Sequence, residues 1–250
     1  RSGRQGDPGS TQFFLSAEDE LVRIFGGDRL KNLMERLGVG ETEAIENSLV
    51  SRSIEQAQSK VEGNHFDMRK YVLEYDDVMN KHRTAIYQLR LDILKSLNNQ
   101  ELIVGYINET IDRLVSFHTG GPDWNRQEIE ESIKALTDKE FKVDEQINDP
   151  ALLKQSLYDI ARRAYEEKEG QLGADTMQQL EKAISLRVID ELWVDHLEQM
   201  EYLRDSVRLR AYGQRDPLVE YKIEGQKMFN QLQAAIGSQV ASLIFKVSFV

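Results

Sequence analysis

Hydrophobic residues recur along residues 54–97 in alternating steps of three and four, the spacing that places them on one face of an α-helix. Gly63 is the only glycine in this range, and no proline interrupts it. The pattern predicts a single amphipathic helix about 65 Å long, since each residue adds about 1.5 Å. We expect so long a helix to act as a strut against which several units pack. Its apolar face, called the seam below, consists of Ile54, Ala57, Val61, His65, Met68, Val72, Tyr75, Met79, His82, Ile86, Leu89, Ile93 and Leu97.

Shorter helices are predicted after the strut, over residues 101–117, 126–136 and 150–168. Polar loops separate them, and we expect them to form a small, self-contained helical insertion. Two longer helices follow, one from about Ala174 to Ser206 and one from Pro217, a residue suited to the first turn of a helix. A short loop at residues 209–217 joins them, so the pair predicts an antiparallel helical hairpin.

The first part of the chain has a different character. Residues 1–12 are rich in glycine and predict a loop, and short helices are predicted over residues 17–26 and 28–37. Gly38 ends the second of these. Taken along its whole length, the pattern predicts an all-α fold.

Composition narrows the classes of function. The formal net charge of −11 disfavours a protein that binds nucleic acid through a broad basic face. The absence of cysteine excludes disulfides, thiolate zinc sites and cysteine nucleophiles. No apolar run approaches the roughly 20 residues that a membrane-spanning helix needs.

The loop of the predicted hairpin contains the most suggestive side chains. Tyr212 lies there among Arg208, Arg210 and Arg215, so positive charge is concentrated in an otherwise acidic chain. A tyrosine on an exposed loop can contact many different partners through its amphipathic ring. Packing of the same ring against its own hairpin is the other interpretation, and the residues alone leave both open.

Other conspicuous residues have structural interpretations. Asp76 and Asp77 are adjacent acids on the long helix, where such pairs are usually solvated, and Trp193 is predicted to belong to the core. No metal site is predicted, because a ligand spacing such as HExxH is missing from the histidines on or near apolar faces, which are His65, His82 and His196.

Short segments spread over nearly the whole chain resemble the SecA family of preprotein-translocase motors. They are Arg1–Asp7 (RSGRQGD), Phe13–Asp19 (FFLSAED), Leu73–Val78 (LEYDDV), Asp190–Leu197 (DELWVDHL), Tyr202–Arg204 (YLR), Leu209–Pro217 (LRAYGQRDP) and Glu220–Lys222 (EYK). Each segment is a weak signal alone, but their order along the predicted helices is highly specific.

The resemblance implies a domain plan. Residues 1–46 would be the tail of the second nucleotide-binding motor domain, which is an α/β domain in the family. Residues 47–98 would be the long helix of the helical scaffold domain, and residues 99–169 the helical wing domain. Residues 170–250 would be the two-helix finger, also part of the scaffold. The implied fold is therefore all-α, with a remnant of the motor domain at its N-terminus.

The resemblance also implies a function. The family uses ATP to move unfolded preproteins through the SecYEG channel, and this part would couple nucleotide state to contact with substrate and channel. Arg1 and Arg4 match the motif arginines that reach toward ATP, where a guanidinium neutralises developing phosphoryl charge. The loop with Tyr212, Arg208, Arg210 and Arg215 matches the finger tip that contacts preprotein near the channel mouth.

Cofactors and partners follow from the same resemblance. The full-length motor would bind ATP and Mg, whereas none is expected here because the phosphate-binding pattern GxxxxGK[ST] is missing from the sequence. The expected partners are unfolded preprotein, the SecYEG channel, the membrane surface and a second copy in a homodimer, with no nucleic acid. The expected location is the cytoplasm, peripherally at the inner face of the bacterial plasma membrane.

Two other classes of function stay open from the residues. The sequence begins at Arg1 rather than at methionine, so we expect a piece of a longer protein that does not hydrolyse ATP by itself. A purely structural scaffold or coiled-coil module would self-associate through the seam and have an inert tip. A helicase fragment would instead bind nucleic acid in a salt-sensitive manner.

Overall fold

The computed structural model describes residues 6–10, 48–121, 123–144, 146–210 and 216–247. Within these ranges the chain forms α-helices and no β-strand. The helices are α1 (Ser48–Lys95), α2 (Gln100–His118), α3 (Arg126–Thr137), α4 (Pro150–Leu172), α5 (Ala174–Arg210) and α6 (Pro217–Lys246). The all-α prediction is confirmed for the described residues, while the short helices predicted at 17–26 and 28–37 lie outside them.

The helix boundaries follow from local chemistry. Asn125, Asp149 and Asp216 each precede a helix, and each side chain accepts a hydrogen bond from a backbone N–H of the first turn. Pro150 and Pro217 occupy the first helical positions, where the lack of a backbone donor costs nothing. These caps explain why the predicted starts of α4 and α6 agree with the structure.

The ends of two helices were predicted too early. The helix α4 continues to Leu172, and α5 continues through Arg210, so Leu209 and Arg210 are helical rather than part of the loop. Leucine and arginine are strong helix formers, and the next glycine is Gly213, so no local signal stops α5 before Arg210.

The predicted strut is a single helix, as the seam required, but the seam is not buried throughout. The chain divides into two units, residues 1–74 and 75–250, which are described separately. In the first unit, Ala57 is buried, whereas residues 62–73 are all exposed. Leu97, the last predicted seam position, lies beyond the helix and is 91% exposed.

In the second unit, the seam of α1 packs against the hairpin formed by α5 and α6. Tyr75, His82, Ile86 and Ile93 are buried there, one or two turns of α1 apart. Trp193 is buried as predicted and belongs to the same large hydrophobic core as Ile86. The end of α1 therefore has the role of a backing strut for the hairpin.

The helices α2, α3 and α4 occupy the range of the predicted insertion, but they are not self-contained, because they share one hydrophobic core with α5 and α6. Ile103 and Ile107 on α2, Ile133 on α3, and Leu157 on α4 are nearly inaccessible to solvent. A Cβ atom at Gly237 on α6 would lie 3.0 Å from the ring of Tyr106 on α2. The glycine thus permits the close approach between the insertion and the hairpin.

Candidate functional site

The residues that the sequence marked as functional fall mostly outside the described part of the chain. Arg1, Arg4, Tyr212 and Arg215 lie outside the described residues. Arg208 and Arg210 belong to the last turn of α5, but their side chains are likewise outside the description. Their roles at the nucleotide and at the finger tip stay predictions.

The helices that flank the tip are held together up to its edge. Met200, Leu203 and Val207 on α5 are buried against Leu218 and Tyr221 on α6. These residues form a hydrophobic cluster on the tip side of the hairpin, so the flanking helices are fixed relative to each other. The segment at 211–215 is therefore attached at both ends to a packed support.

The long helix contributes to that support. The rings of Tyr75 on α1 and Tyr221 on α6 have their centroids 4.8 Å apart in a tilted arrangement. A Cβ atom at Gly225 on α6 would lie 3.0 Å from the Met200 side chain and 3.5 Å from Val78. The glycine lets α6 approach both α1 and α5, so the three helices meet around Gly225.

Further from the tip, two histidines that are 114 positions apart meet in the core. The Nδ1 atom of His82 on α1 lies 3.2 Å from the Nε2 atom of His196 on α5. Both rings are buried, and Phe229 on α6 stacks on His82 at a centroid distance of 4.3 Å. The ring of Trp193 stacks on the ring of His196. This group, called the histidine pair below, joins all three helices.

The environment favours neutral imidazoles. Burial lowers the pKa of His82, and burial together with the neighbouring His82 ring lowers the pKa of His196 to about 4. A hydrogen bond between two ring nitrogens needs one of them as acceptor, so two imidazolium rings could not maintain it. The histidine pair is therefore a neutral contact at physiological pH.

An ion pair at the surface fixes the same two helices. Arg90 on α1 donates from Nε and Nη2 to the two carboxylate oxygens of Asp190 on α5, at 2.8 and 3.1 Å. This fork-to-fork geometry sets the orientation of both side chains. The Arg90 hydrogen bond lowers the pKa of Asp190 below its ordinary value.

Beside this ion pair lies an apolar groove of about 560 Å³ between α1 and α5. Its exposed walls include Tyr87 and Leu94 on α1 and Val194 on α5, with Trp193 beneath them. The groove offers apolar surface with one fixed ion pair.

Polar residues outside the tip differ in how far they are exposed to solvent. Asp76 and Asp77 are exposed, and Asp77 pairs with Lys81 one turn later, as expected for solvated acids. Lys168 on α4 is half-buried and donates to the carbonyl groups of Phe245 and Val247 at the end of α6. It satisfies carbonyl groups that a helix end leaves unpaired.

Within the described ranges, no cluster of three or more histidine, aspartate or glutamate side chains is placed to hold a metal ion. None of the described helices combines the length and the apolar character needed to cross a membrane. What the described site offers is a rigid support for a loop, together with apolar surface.

Sequence reasoning missed the histidine pair. His82 and His196 were both placed on or near apolar faces, and that was the only available signal. Periodicity shows which face of a helix a residue occupies, but it does not show which residue of a distant helix will face it.

Comparisons with known proteins match the entire chain. Residues 44–248 match the family model of the SecA Wing and Scaffold domain, and residues 1–42 match that of the SecA P-loop domain. The match to the SecA P-loop domain ends at residue 42, before α1 begins at Ser48.

Individual relatives give the same result. The chain is 42% identical to the protein translocase subunit SecA of Halothermothrix orenii, over 99% of the chain and 30% of that protein. It is 43% identical to the SecA subunit of Pelotomaculum thermopropionicum, over 100% and 29% respectively, and 41% identical to that of Thermodesulfovibrio yellowstonii, over 99% and 28%. The chain therefore spans about 30% of the length of the curated relatives it matches.

Proposed function

The chain belongs to the SecA family, and we propose that it is the part of a protein-translocating motor that carries the two-helix finger. The motor would use ATP to move unfolded preproteins through the SecYEG channel. This part would couple nucleotide state to contact with substrate and channel. The observation that carries the proposal is the match of the whole chain, in order, to the end of the motor domain and to the wing and scaffold.

We assign the domains as the motif order suggests. Residues 1–46 form the tail of the second motor domain, and residues 47–98 form the long scaffold helix. Residues 99–169 form the wing, and residues 170–250 form the finger. The packing of α1 against α5 and α6 supports this assignment, because a strut behind the hairpin can transmit movement from one domain to another.

The finger tip is the proposed point of contact. Tyr212 supplies an adaptable ring for apolar side chains, and Arg208, Arg210 and Arg215 supply donors for backbone carbonyl groups and anionic partners. The cluster that contains Met200 supports this role, since it holds both flanking helices and so fixes where the tip is presented.

The N-terminal arginines would act in the nucleotide site of the full-length motor. Arg1 and Arg4 would reach the phosphates of ATP, whose charge Mg also neutralises. The chain alone carries no GxxxxGK[ST] pattern, so we expect it to lack ATPase activity. Substitution of Arg4 by alanine in the full-length protein is expected to lower ATP turnover strongly while the finger stays folded.

The partners and location follow from the proposed function. We expect unfolded preprotein, the SecYEG channel and a second copy of the motor as protein partners, and contact with the membrane surface. We expect the protein to work in the cytoplasm, at the inner face of the bacterial plasma membrane.

Replacement of Tyr212 by alanine in the full-length protein tests the finger-tip role. We expect preprotein translocation into channel-containing vesicles to fall severalfold while thermal unfolding is nearly unchanged, because surface loop substitutions usually cost less than about 0.5 kcal/mol. Tyr202→Ala is the matched control, since Tyr202 is 69% exposed on α5, two turns before its end. It should translocate normally.

The outcomes separate the proposal from its rivals. Normal translocation by Tyr212→Ala would remove the contact role, and a large loss of stability would show that Tyr212 packs on its own hairpin. Capture of the chain by nucleic acid in a salt-sensitive manner would favour a helicase. Self-association without binding to channel-containing membranes would favour a purely structural module.

A further inference from the structure

The wing, formed by α2, α3 and α4, joins the scaffold through two short links. One link is residues 96–99, between α1 and α2, and the other is the single residue Gly173, between α4 and α5. Gly173 has φ +83°, a value that residues with a side chain rarely adopt. The wing also packs on α6, where a Cβ atom at Gly237 would lie 3.0 Å from the ring of Tyr106, so the two links are the places where the chain itself passes between wing and scaffold.

Glu181 on α5 is buried against α4 and near the first link. It is 1% exposed, and its Oε1 atom accepts a hydrogen bond from the hydroxyl group of Tyr165 on α4. The backbone N–H of Asn99, in the link between α1 and α2, acts on the same carboxyl group. The next residue, Lys182, donates to the carbonyl oxygen of Leu94 near the end of α1, at 3.0 Å. Two adjacent residues of α5 thus contact α4, the first link and the end of α1.

The surroundings of this carboxyl group are poor for a negative charge. Its Oε2 atom has no hydrogen-bond partner in the described part of the chain, and neither does the buried hydroxyl group of Ser185 one turn later. An ionised carboxylate buried with one oxygen unpaired is costly, so such a group binds a proton instead. Burial accordingly raises the pKa of Glu181, and the charge of Glu169 adds to the effect.

The contacts that lower the pKa of Glu181 are weaker than the effect of burial, which raises it. The Tyr165 hydroxyl group and the Asn99 backbone lower the pKa of Glu181, but they do not outweigh burial. The pKa of Tyr165 is itself raised, so its phenol keeps its proton and remains a donor. Of the lysines nearby, Lys182 is directed to Leu94 and Lys168 to the end of α6.

We propose that Glu181 is a proton-carrying latch between the wing and the finger helix α5. The docked wing holds the carboxyl group in its neutral form. Movement of the wing that lets water reach the group ionises it and releases one proton to solvent, and redocking takes one proton up. The proposal concerns this chain alone and does not depend on the proposed role in translocation.

The latch predicts how docking depends on pH. The docked wing binds one proton more than the open wing between the pKa of the hydrated carboxyl group and the raised pKa of the docked one. The ratio of docked to open wing should therefore fall by about tenfold for each unit of rising pH within that window. It should not depend on pH below the window.

Spin labels can measure this ratio, because the sequence contains no cysteine that would need to be removed. Leu152→Cys on α4 and Glu198→Cys on α5 place labels at two exposed positions, one on the wing and one on the scaffold. The distribution of label distances, recorded from pH 5 to pH 9, is compared among the parent chain, Glu181→Gln and the control Glu191→Gln. Glu191 is exposed on the same helix.

The parent chain and Glu191→Gln should gain a second population of distances as the pH rises, and Glu181→Gln should keep the docked distance throughout. An unchanged distribution in the parent chain, or the same pH response in Glu181→Gln, would overturn the latch. If Glu181→Gln fails to fold, carbon-13 NMR titration of the Glu181 carboxyl group in the parent chain decides. An apparent pKa above that of exposed glutamates supports the proposal, and an ordinary or lower one overturns it.

Discussion

The two halves of α1 follow the same hydrophobic pattern but meet different surroundings. From Tyr75 to Ile93 the seam is buried or partly buried against α5 and α6. Over residues 62–73 it is open, and Val72 is 66% exposed. A sequence pattern therefore identifies the apolar face of a helix, whereas its burial depends on which other segments are present to cover it.

The two seam histidines differ in the same way, one being exposed and the other buried. His65 lies in the exposed half of α1, whereas His82 is 3% exposed and contacts His196. The same side chain is thus a surface residue in one half and a core residue in the other.

The largest expected effect comes from removing buried seam volume. Ile86→Ala should lower the free energy of unfolding by about 2–5 kcal/mol, because Ile86 is 1% exposed and alanine would leave a cavity. Urea unfolding measures this change. Leu73→Ala, at a 66% exposed position of the same helix, is the control, and equal losses for the two variants would abolish the distinction between the halves.

Acid should destabilise the fold through the buried His196. The folded protein holds the pKa of His196 near 4, below the ordinary value of 6.5, so the unfolded chain binds more protons between these values. Stability should therefore be complete above about pH 6.5 and fall as the pH decreases toward 4, by up to about 3 kcal/mol.

Urea unfolding at several pH values measures that loss. His196→Gln should make the profile shallower between pH 4 and pH 6.5, since glutamine does not titrate, while the lowered pKa of His82 still contributes. His65→Gln should leave the profile of the parent chain unchanged. A steeper effect from His65→Gln than from His196→Gln would contradict the buried, neutral histidine pair.

The surface ion pair should contribute less than either core contact. Arg90→Ala should destabilise the protein much less than Ile86→Ala, because Arg90 and Asp190 are 40% and 55% exposed and solvent screens their attraction. The loss should shrink at high salt. The reversed pair, made by Arg90→Asp together with Asp190→Arg, should regain part of it, and a loss as large as that of Ile86→Ala would indicate packing rather than charge.

The smallest effect is expected on the open half of the seam. Val72→Ser should change the stability of this chain by less than about 0.5 kcal/mol, because the side chain already contacts solvent. In a full-length protein the same substitution should cost more, if domains outside this chain cover that face. Comparison of the two unfolding free energies tests this, and equal values would show that the face stays open.

Helix positions were predictable because their causes are local. The three- and four-residue steps specified α1, and capping residues such as Asp149 and Asp216 specified where later helices begin. The ends of α4 and α5 were predicted a few residues too early, since a helix continues until a local stop signal or competing contacts interrupt it.

The sequence by itself determined the all-α fold, the order of the helices, the hairpin and the family to which the chain belongs. Only the tertiary structure decided that the seam is covered after Tyr75, that His82 meets His196, and that Glu181 is buried against Tyr165. The reason is physical: periodicity and capping depend on residues a few positions apart. Burial and the protonation of a buried group depend instead on segments that are distant in the chain and meet only in the folded molecule.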